Sequence, residues 1–213
     1  MTAREEMLQK IRAVGADPSG RNAEYARIPR DYRTVGSLDA SARLELFLDR
    51  LKDYGAKTTA CRPDQVAGAI AASLTARAAC NMIVPAGFPS EWLPPGFHFV
   101  PDNNSTYEEI DQSGGVLTLC AAAMAFTGTI VLQDQLPGQG RRALSLIPDY
   151  HLCVVKESQL RETAPEMFAA LDATKTVATT TISGPSATSD IEMTRIKGVH
   201  GPRTLEVIVV LTA

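Results

Sequence analysis

The chain has 213 residues, of which 45% are hydrophobic and 21% charged, and its formal net charge is −3. This composition indicates a soluble globular protein of one domain, or of one domain with an extension. The small negative charge excludes general affinity for nucleic acids, and the longest uncharged apolar run, residues 119–126, is too short to span a membrane. Because the N-terminus is charged and lacks an apolar segment, no signal peptide is expected and a cytoplasmic location is predicted.

The N-terminal third is predicted to hold two helices and a connector. The first helix starts at the capping-box sequence of Thr2 and Glu5 and ends near Gly15. An arginine-rich polar stretch over residues 17–34 is predicted to be extended, so we divide the chain into a helix with an arm (1–35) and an α/β domain (36–213). The second helix is predicted over residues 39–54, because apolar residues recur there at helical spacing.

From residue 57 onward, predicted strands alternate with predicted helices. Strands are expected over 57–61, 81–85, 98–101, 115–121, 128–132, 151–156, 179–183 and 204–211. Helices are expected over 64–77 and 106–112 and from residue 163, with a short helix or turn over 190–195. The alternation predicts βαβ units and a mostly parallel sheet covered on both faces. Continuously apolar runs such as residues 207–211 are typical of strands in such a sheet.

The segments 183–192 and 198–202 carry the densest group of polar side chains. Between Gly/Pro breakpoints they combine small hydroxyls, two carboxylates and an imidazole. A turn with a helix cap is the alternative to a ligand site, since Ser189 and Glu192 have capping-box spacing. The segment follows a predicted strand, and ligands in parallel sheets lie beyond the carboxyl ends of the strands, so a site is predicted there.

Two further segments contain features suited to binding anions. Gly128, flanked by Thr127 and Thr129, forms either a tight turn or a backbone and hydroxyl cradle for a carboxylate or phosphate. Arg141 and Arg142 follow a glycine-rich loop and form either an anion clamp or part of a solvated loop.

The histidines and cysteines do not have the spacing of metal ligands. His98, His151 and His200 are far apart in sequence; His151 begins a strand and is interpreted as structural, whereas His200 is a candidate acid or base. The cysteines lack a C-x-x-C pattern and are interpreted as structural thiols, so no cofactor is expected on this chain. They are Cys61, Cys80, Cys120 and Cys153.

Four segments, residues 125–131, 144–151, 184–192 and 198–202, resemble the LUD-domain (lactate utilisation) family in its single-domain LutC/YkgG branch. The resemblance implies the three-layer α/β/α fold of the ribose-5-phosphate isomerase, glucosamine-6-phosphate deaminase and CoA-transferase superfamily (NagB/RpiA/CoA-transferase-like). It also implies a role in oxidising L-lactate to pyruvate with iron–sulfur partner subunits, which would carry the clusters. The family usually has Arg where this chain has Ala187, so another arginine would replace it or the ligand would differ.

The combined expectation is an accessory or catalytic subunit that binds a small carboxylate or phosphate-bearing ligand. Ligand contacts are predicted for Thr127, Gly128, Thr129, Arg142, Gly184, Ser186 and Thr188, and catalytic roles for Asp190, Glu192 and His200. Two alternatives stay open. One is a stand-alone enzyme of the CoA-transferase or 5-formyltetrahydrofolate cyclo-ligase type, with Glu192 or Glu109 as nucleophile or base; the other is a non-catalytic regulatory domain. The sequence is also compatible with a homo-oligomer.

Overall fold

The computed structural model describes residues 2–14, 23, 25–188, 196–198 and 200–212, except for the side chains of residues 14, 188, 196 and 197. The chain forms two compact units, residues 1–33 and 34–213. In the first unit, helix α1 (Ala3–Val14) begins with the predicted capping box, in which Thr2 and Glu5 bond each other's backbone N–H. Residues 25–27 are helical, so the predicted connector is not extended throughout. Gly15, the predicted helix end, lies outside the described residues.

The second unit is built around a six-stranded sheet in which every neighbouring pair of strands is parallel. The strand order is β1 (Lys57–Cys61), β12 (Thr204–Val210), β7 (Tyr150–Lys156), β4 (Val116–Leu119), β2 (Asn81–Val84) and β3 (His98–Pro101). Six of the seven residues of β7 and six of the seven of β12 are buried, as expected for strands covered on both faces. The prediction of a mostly parallel α/β fold is confirmed.

A second, smaller sheet was not predicted. Its order is β8 (Leu160–Arg161), β5 (Ala122–Met124), β6 (Thr129–Gln133) and β9 (Thr179–Ile182), and β6 runs antiparallel to both of its neighbours. Residues 115–121 were predicted as one strand, but the chain leaves the parallel sheet after Leu119 and joins the second sheet at Ala122. Two short strands, β10 (Ala187–Thr188) and β11 (Ile196–Lys197), pair with each other and with no other described strand.

Helices cover both faces of the parallel sheet. Helix α2 (Ala40–Asp53) buries Phe47 and Leu51 in a cluster that it shares with the second sheet. Helix α3 (Val66–Arg77) buries Ile70 and Leu74 against the opposite face. The remaining α-helices with described bounds are α4 (Tyr107–Asp111) and α5 (Ala164–Ala170), and both begin with the capping boxes that their sequences indicate. No helix among the described residues is long and apolar enough to cross a membrane.

The alternation of side chains along the parallel strands decides which residues face the second sheet. Cys153 in β7 and Leu205 in β12 both belong to the apolar cluster beneath that sheet. His151 lies two residues before Cys153 and therefore points to the same face. Thr118 in β4 is the register partner of Cys153 and shares this face as well. A threonine and a histidine are thus placed next to each other in an otherwise apolar layer.

Two glycines offer a matched test of the fold. Gly115 precedes β4 with a φ of +136°, and a Cβ there would lie 2.6 Å from the carbonyl oxygen of Tyr150. We expect Gly115→Ala to lower the free energy of unfolding by about 3 kcal/mol, through backbone strain and a contact that cannot relax. Gly68 lies in α3 with open space around it, so Gly68→Ala should raise stability by about 0.5–1 kcal/mol. Urea denaturation measures both, and changes of the same sign would contradict this account of Gly115.

Candidate functional site

A cavity of about 230 Å³ opens between the parallel sheet and the segment that runs from β9 into β10. Its polar lining residues are Arg142, Ser145, His151, Thr180, Thr181, Ser183, Ser186 and His200. The volume falls below the roughly 300–1,000 Å³ of pockets that hold drug-sized ligands, so the cavity suits a small metabolite. Four of the predicted site residues, Arg142, Gly184, Ser186 and His200, come together here.

The cavity lies at the amino ends of the parallel strands. Its floor includes His151 and Leu205, which are the second residues of β7 and β12. The prediction of a site beyond the carboxyl ends was therefore wrong in its location. The reason is that β9, which leads into the 183–186 turn, belongs to the second sheet and pairs antiparallel with β6. The rule for parallel sheets does not apply to the end of that strand.

The two adjacent arginines separate into different roles. Arg142 lines the cavity, where its Nη1 donates to the hydroxyl of Ser145 at 3.0 Å. Arg141 instead donates from Nε and Nη2 to both carboxylate oxygens of Asp102, at 2.8 and 3.1 Å. Burial alone would raise the pKa of Asp102, but the hydrogen bonds and charge of Arg141 hold that pKa below its usual value. Of the two arginines predicted to bind an anion together, Arg142 lines the cavity and Arg141 does not.

Ser186 ties together the two loops that carry predicted site residues. Its backbone N–H donates to the carbonyl of Pro202 at 2.8 Å, and its own carbonyl accepts from Gly198 at 3.0 Å. Its hydroxyl accepts the backbone N–H of His200 at 3.0 Å, which places that exposed residue at the rim of the cavity. The turn itself needs Gly184, whose φ of +84° lies in the region that favours glycine.

The predicted cradle around Gly128 does not line this cavity. Gly128 has a φ of +59°, and a Cβ there would lie 2.9 Å from the backbone of Arg50, so the glycine permits close packing against α2. The hydroxyls of Thr127 and Thr129 lie 2.5 Å apart, and that of Thr129 lies 2.7 Å from the hydroxyl of Ser183. This chain of hydroxyls reaches the cavity only through Ser183, so Thr127 and Thr129 support the wall from behind.

Three predicted residues have no described side chain. Asp190 and Glu192 lie outside the described residues. Thr188 is described only as backbone, in the β10–β11 pair with Ile196. The roles assigned to these residues stay predictions.

His151 is the main lining residue that sequence reasoning assigned to structure alone. Its side chain is fully buried, and desolvation lowers its pKa from 6.5 to about 4, so the ring is neutral at pH 7. Nε2 lies 2.7 Å from the hydroxyl of Thr118, and Nδ1 has no hydrogen-bond partner among the described residues. The sequence signal for His151 was an imidazole inside a predicted apolar strand. Whether such a side chain reaches a cavity depends on how the strands are paired.

The charge of the cavity favours anions. Arg142 contributes a permanent positive charge, and no carboxylate occurs among the described lining residues. Over the described part of the chain, no group of three or more His, Cys, Asp or Glu side chains is placed to hold a metal ion. The arrangement of guanidinium, imidazole and hydroxyls is suited to hydrogen-bonding a small carboxylate.

A parallel sheet with flanking helices and a second sheet on one face places the chain among the α/β proteins. The family model described as the LUD domain matches residues 46–210, and the chain belongs to this family.

The chain is similar to proteins named for lactate utilization and to a solved structure. It is 46% identical to the Lactate utilization protein C of Deinococcus radiodurans over 183 residues, or 84% of each chain. It is 37% identical to the Lactate utilization protein C of an Exiguobacterium species over 101 residues, which is 44% of this chain and 43% of the relative. The crystal structure of a DUF162 family protein from Deinococcus radiodurans matches with a TM-score of 0.71 and 40% identity, covering 82% of this chain and 99% of that one.

Proposed function

We propose that this protein is a cytoplasmic component of an L-lactate utilisation system that oxidises L-lactate to pyruvate together with iron–sulfur partner subunits. The observation that carries the proposal is the 46% identity, over 84% of both chains, to a protein named Lactate utilization protein C. The role of this chain in the system would be to bind a small anionic ligand in the cavity beside Arg142.

The chemistry of the cavity supports a ligand of the lactate and pyruvate class. Both molecules carry one carboxylate and one neighbouring oxygen atom, and both are small enough for a volume of about 230 Å³. The guanidinium of Arg142 matches a carboxylate in charge and in its planar pair of donors. The hydroxyls of Ser145 and Ser186 add groups that can both donate and accept hydrogen bonds.

The placement of the cysteines supports assigning the redox centres to partner subunits. Cys61, Cys120 and Cys153 are buried in the apolar clusters of the parallel sheet, and only Cys80 is exposed. Burial raises the pKa of Cys61, which disfavours the thiolate that an iron–sulfur cluster requires. We therefore propose that electron transfer takes place outside this chain.

The stand-alone enzyme hypothesis is weakened by the position of Glu109. Its carboxylate accepts the backbone N–H of Thr106 at 2.6 Å, within the capping box of α4. Glu109 is exposed and is not a lining residue of the cavity, so it is poorly placed to act as a nucleophile or base there.

Growth on L-lactate tests the proposed function. A strain that lacks the gene is expected not to grow on L-lactate as sole carbon source, while growth on glucose is unchanged. The wild-type gene should restore growth, and Arg142→Met at equal expression should not, because the cavity would lose its permanent charge. The control is Arg203→Met, since Arg203 is exposed, pairs with Asp149 at 3.5 Å and does not line the cavity. Normal growth of the deletion strain on L-lactate would refute the proposal.

A further inference from the structure

Thr118 and His151 form a buried polar pair in the parallel sheet, on the face toward the second sheet. Both side chains are fully buried, and the hydroxyl of Thr118 lies 2.7 Å from Nε2 of the imidazole. Among the described residues this is the single hydrogen bond of the Thr118 side chain. The two side chains thus make no further hydrogen bond among the described residues, so the positions of their protons depend on the bond between them.

The need to satisfy a buried hydroxyl fixes the tautomer of the imidazole. If Nε2–H donated to Thr118, two groups would be buried without partners among the described residues, namely the hydroxyl proton of Thr118 and the lone pair of Nδ1, which is unfavourable. If the hydroxyl donates to Nε2, its proton is satisfied, and the proton of the neutral ring then resides on Nδ1. The second arrangement leaves a buried N–H donor that has no partner among the described residues.

The unsatisfied donor belongs to a side chain that lines the cavity beside Arg142. A buried donor without a partner is costly, and a ligand that supplies an acceptor removes the cost. We propose that His151 is a specificity-determining residue of this site, whose Nδ1–H donates a hydrogen bond to an oxygen atom of a small carboxylate held by Arg142. The inference rests on the proposed function, because it assigns the ligand of that function to this cavity.

This arrangement would select ligands by hydrogen-bond polarity as well as by charge. The Nδ1–H group donates a hydrogen bond and cannot accept one, so an ammonium or amide N–H group facing His151 would leave two donors opposed. Carboxylate, keto and hydroxyl oxygens would all be compatible with the site, because each of them can accept this hydrogen bond. Pyruvate and L-lactate meet these requirements.

Nitrogen-15 NMR of the imidazole rings tests the tautomer directly on the wild-type protein. We expect the proton of His151 on Nδ1 at pH 7, and a shift of the Nδ1–H signal when pyruvate is added. His98, exposed at the start of β3, is the internal reference and should not respond. In Thr118→Val the hydroxyl donor is gone, so the Nε2–H tautomer should appear. A proton on Nε2 in the wild-type protein, or an Nδ1–H signal that pyruvate does not move, would overturn the inference.

Calorimetry with pyruvate and L-lactate tests the contribution to binding. His151→Phe should weaken binding about tenfold or more, whereas His151→Asn, whose amide supplies an N–H near the position of Nδ1, should stay within a few-fold of wild type. Equal affinity in the wild type and His151→Phe would overturn the inference while the proposed function stands. If the wild type bound neither probe although the deletion strain fails on L-lactate, the ligand class assigned to this site would be wrong and the pathway assignment would remain. Normal growth of the deletion strain would refute the proposed function by itself.

Discussion

Acidification from pH 7 to pH 5 is expected to remove about 2 kcal/mol of the free energy of unfolding through His151 alone, and about 3 kcal/mol by pH 4. The cause is desolvation, which lowers the pKa of the buried imidazole from 6.5 to about 4. At a pH between these two pKa values, the imidazole of His151 is protonated in the unfolded chain and neutral in the folded chain. Stability from this group is therefore complete above pH 6.5 and is lost as the pH falls toward 4.

The contribution of His151 can be separated from that of the carboxylates. Although burial opposes the effect, hydrogen bonds lower the pKa of Asp102, Glu157 and Glu166, with a nearby arginine contributing at the first two, so their stabilisation is lost mainly below pH 4.5. Urea denaturation at intervals from pH 7.5 to 4.5 should show a steep slope in the wild type and a flatter one in His151→Phe. Identical slopes would show that His151 is not held neutral by burial. The comparison uses slopes, because the substitution also changes absolute stability.

Replacing Arg142 by Met is expected to weaken the binding of pyruvate and L-lactate by about 10- to 100-fold. This factor corresponds to the loss of one charge-assisted hydrogen bond, which contributes roughly 1.5–3 kcal/mol. Arg142 is the permanent positive charge among the described lining residues, and Met preserves much of the aliphatic stem. Arg142→Lys should recover part of the affinity, since a lysine keeps the charge and loses the planar pair of donors.

Isothermal titration calorimetry at low and moderate salt measures the effect of Arg142. Arg203→Met is the matched control, because its guanidinium is exposed and outside the cavity. We expect that control to bind as the wild type does. Equal losses in the two variants would indicate a diffuse electrostatic effect, and unchanged binding by Arg142→Met would exclude this arginine as the anion partner.

Local signals in the sequence were sufficient to predict many element boundaries. The capping boxes at Thr106 and Thr163 mark the starts of α4 and α5, and Asp39 caps α2. The second sheet could not be predicted in this way. Both β4 and β5 are almost wholly buried, so hydrophobicity is continuous across Cys120 and Ala121, where the chain passes from one sheet to the other.

The candidate site was predictable where its chemistry is local. Ser186 and His200 stood out because polar residues cluster around them between glycines and prolines. His151 and Thr118 did not, since each is a single polar residue in an apolar strand and their meeting depends on the register of β4 with β7. The location at the amino ends of the strands was equally hidden, because it depends on which sheet β9 joins.

Opposite walls of the cavity belong to different sheets, so its width is a property of sheet packing and not of one loop. β7 and β12 form one side, and β9 forms the other. A molecule that touches both sides would act as a spacer and hold the sheets at one separation. β9 is also an edge strand, with Thr179 and Thr181 exposed to solvent. A protein that docked along this edge would therefore contact a strand that also forms one wall of the cavity.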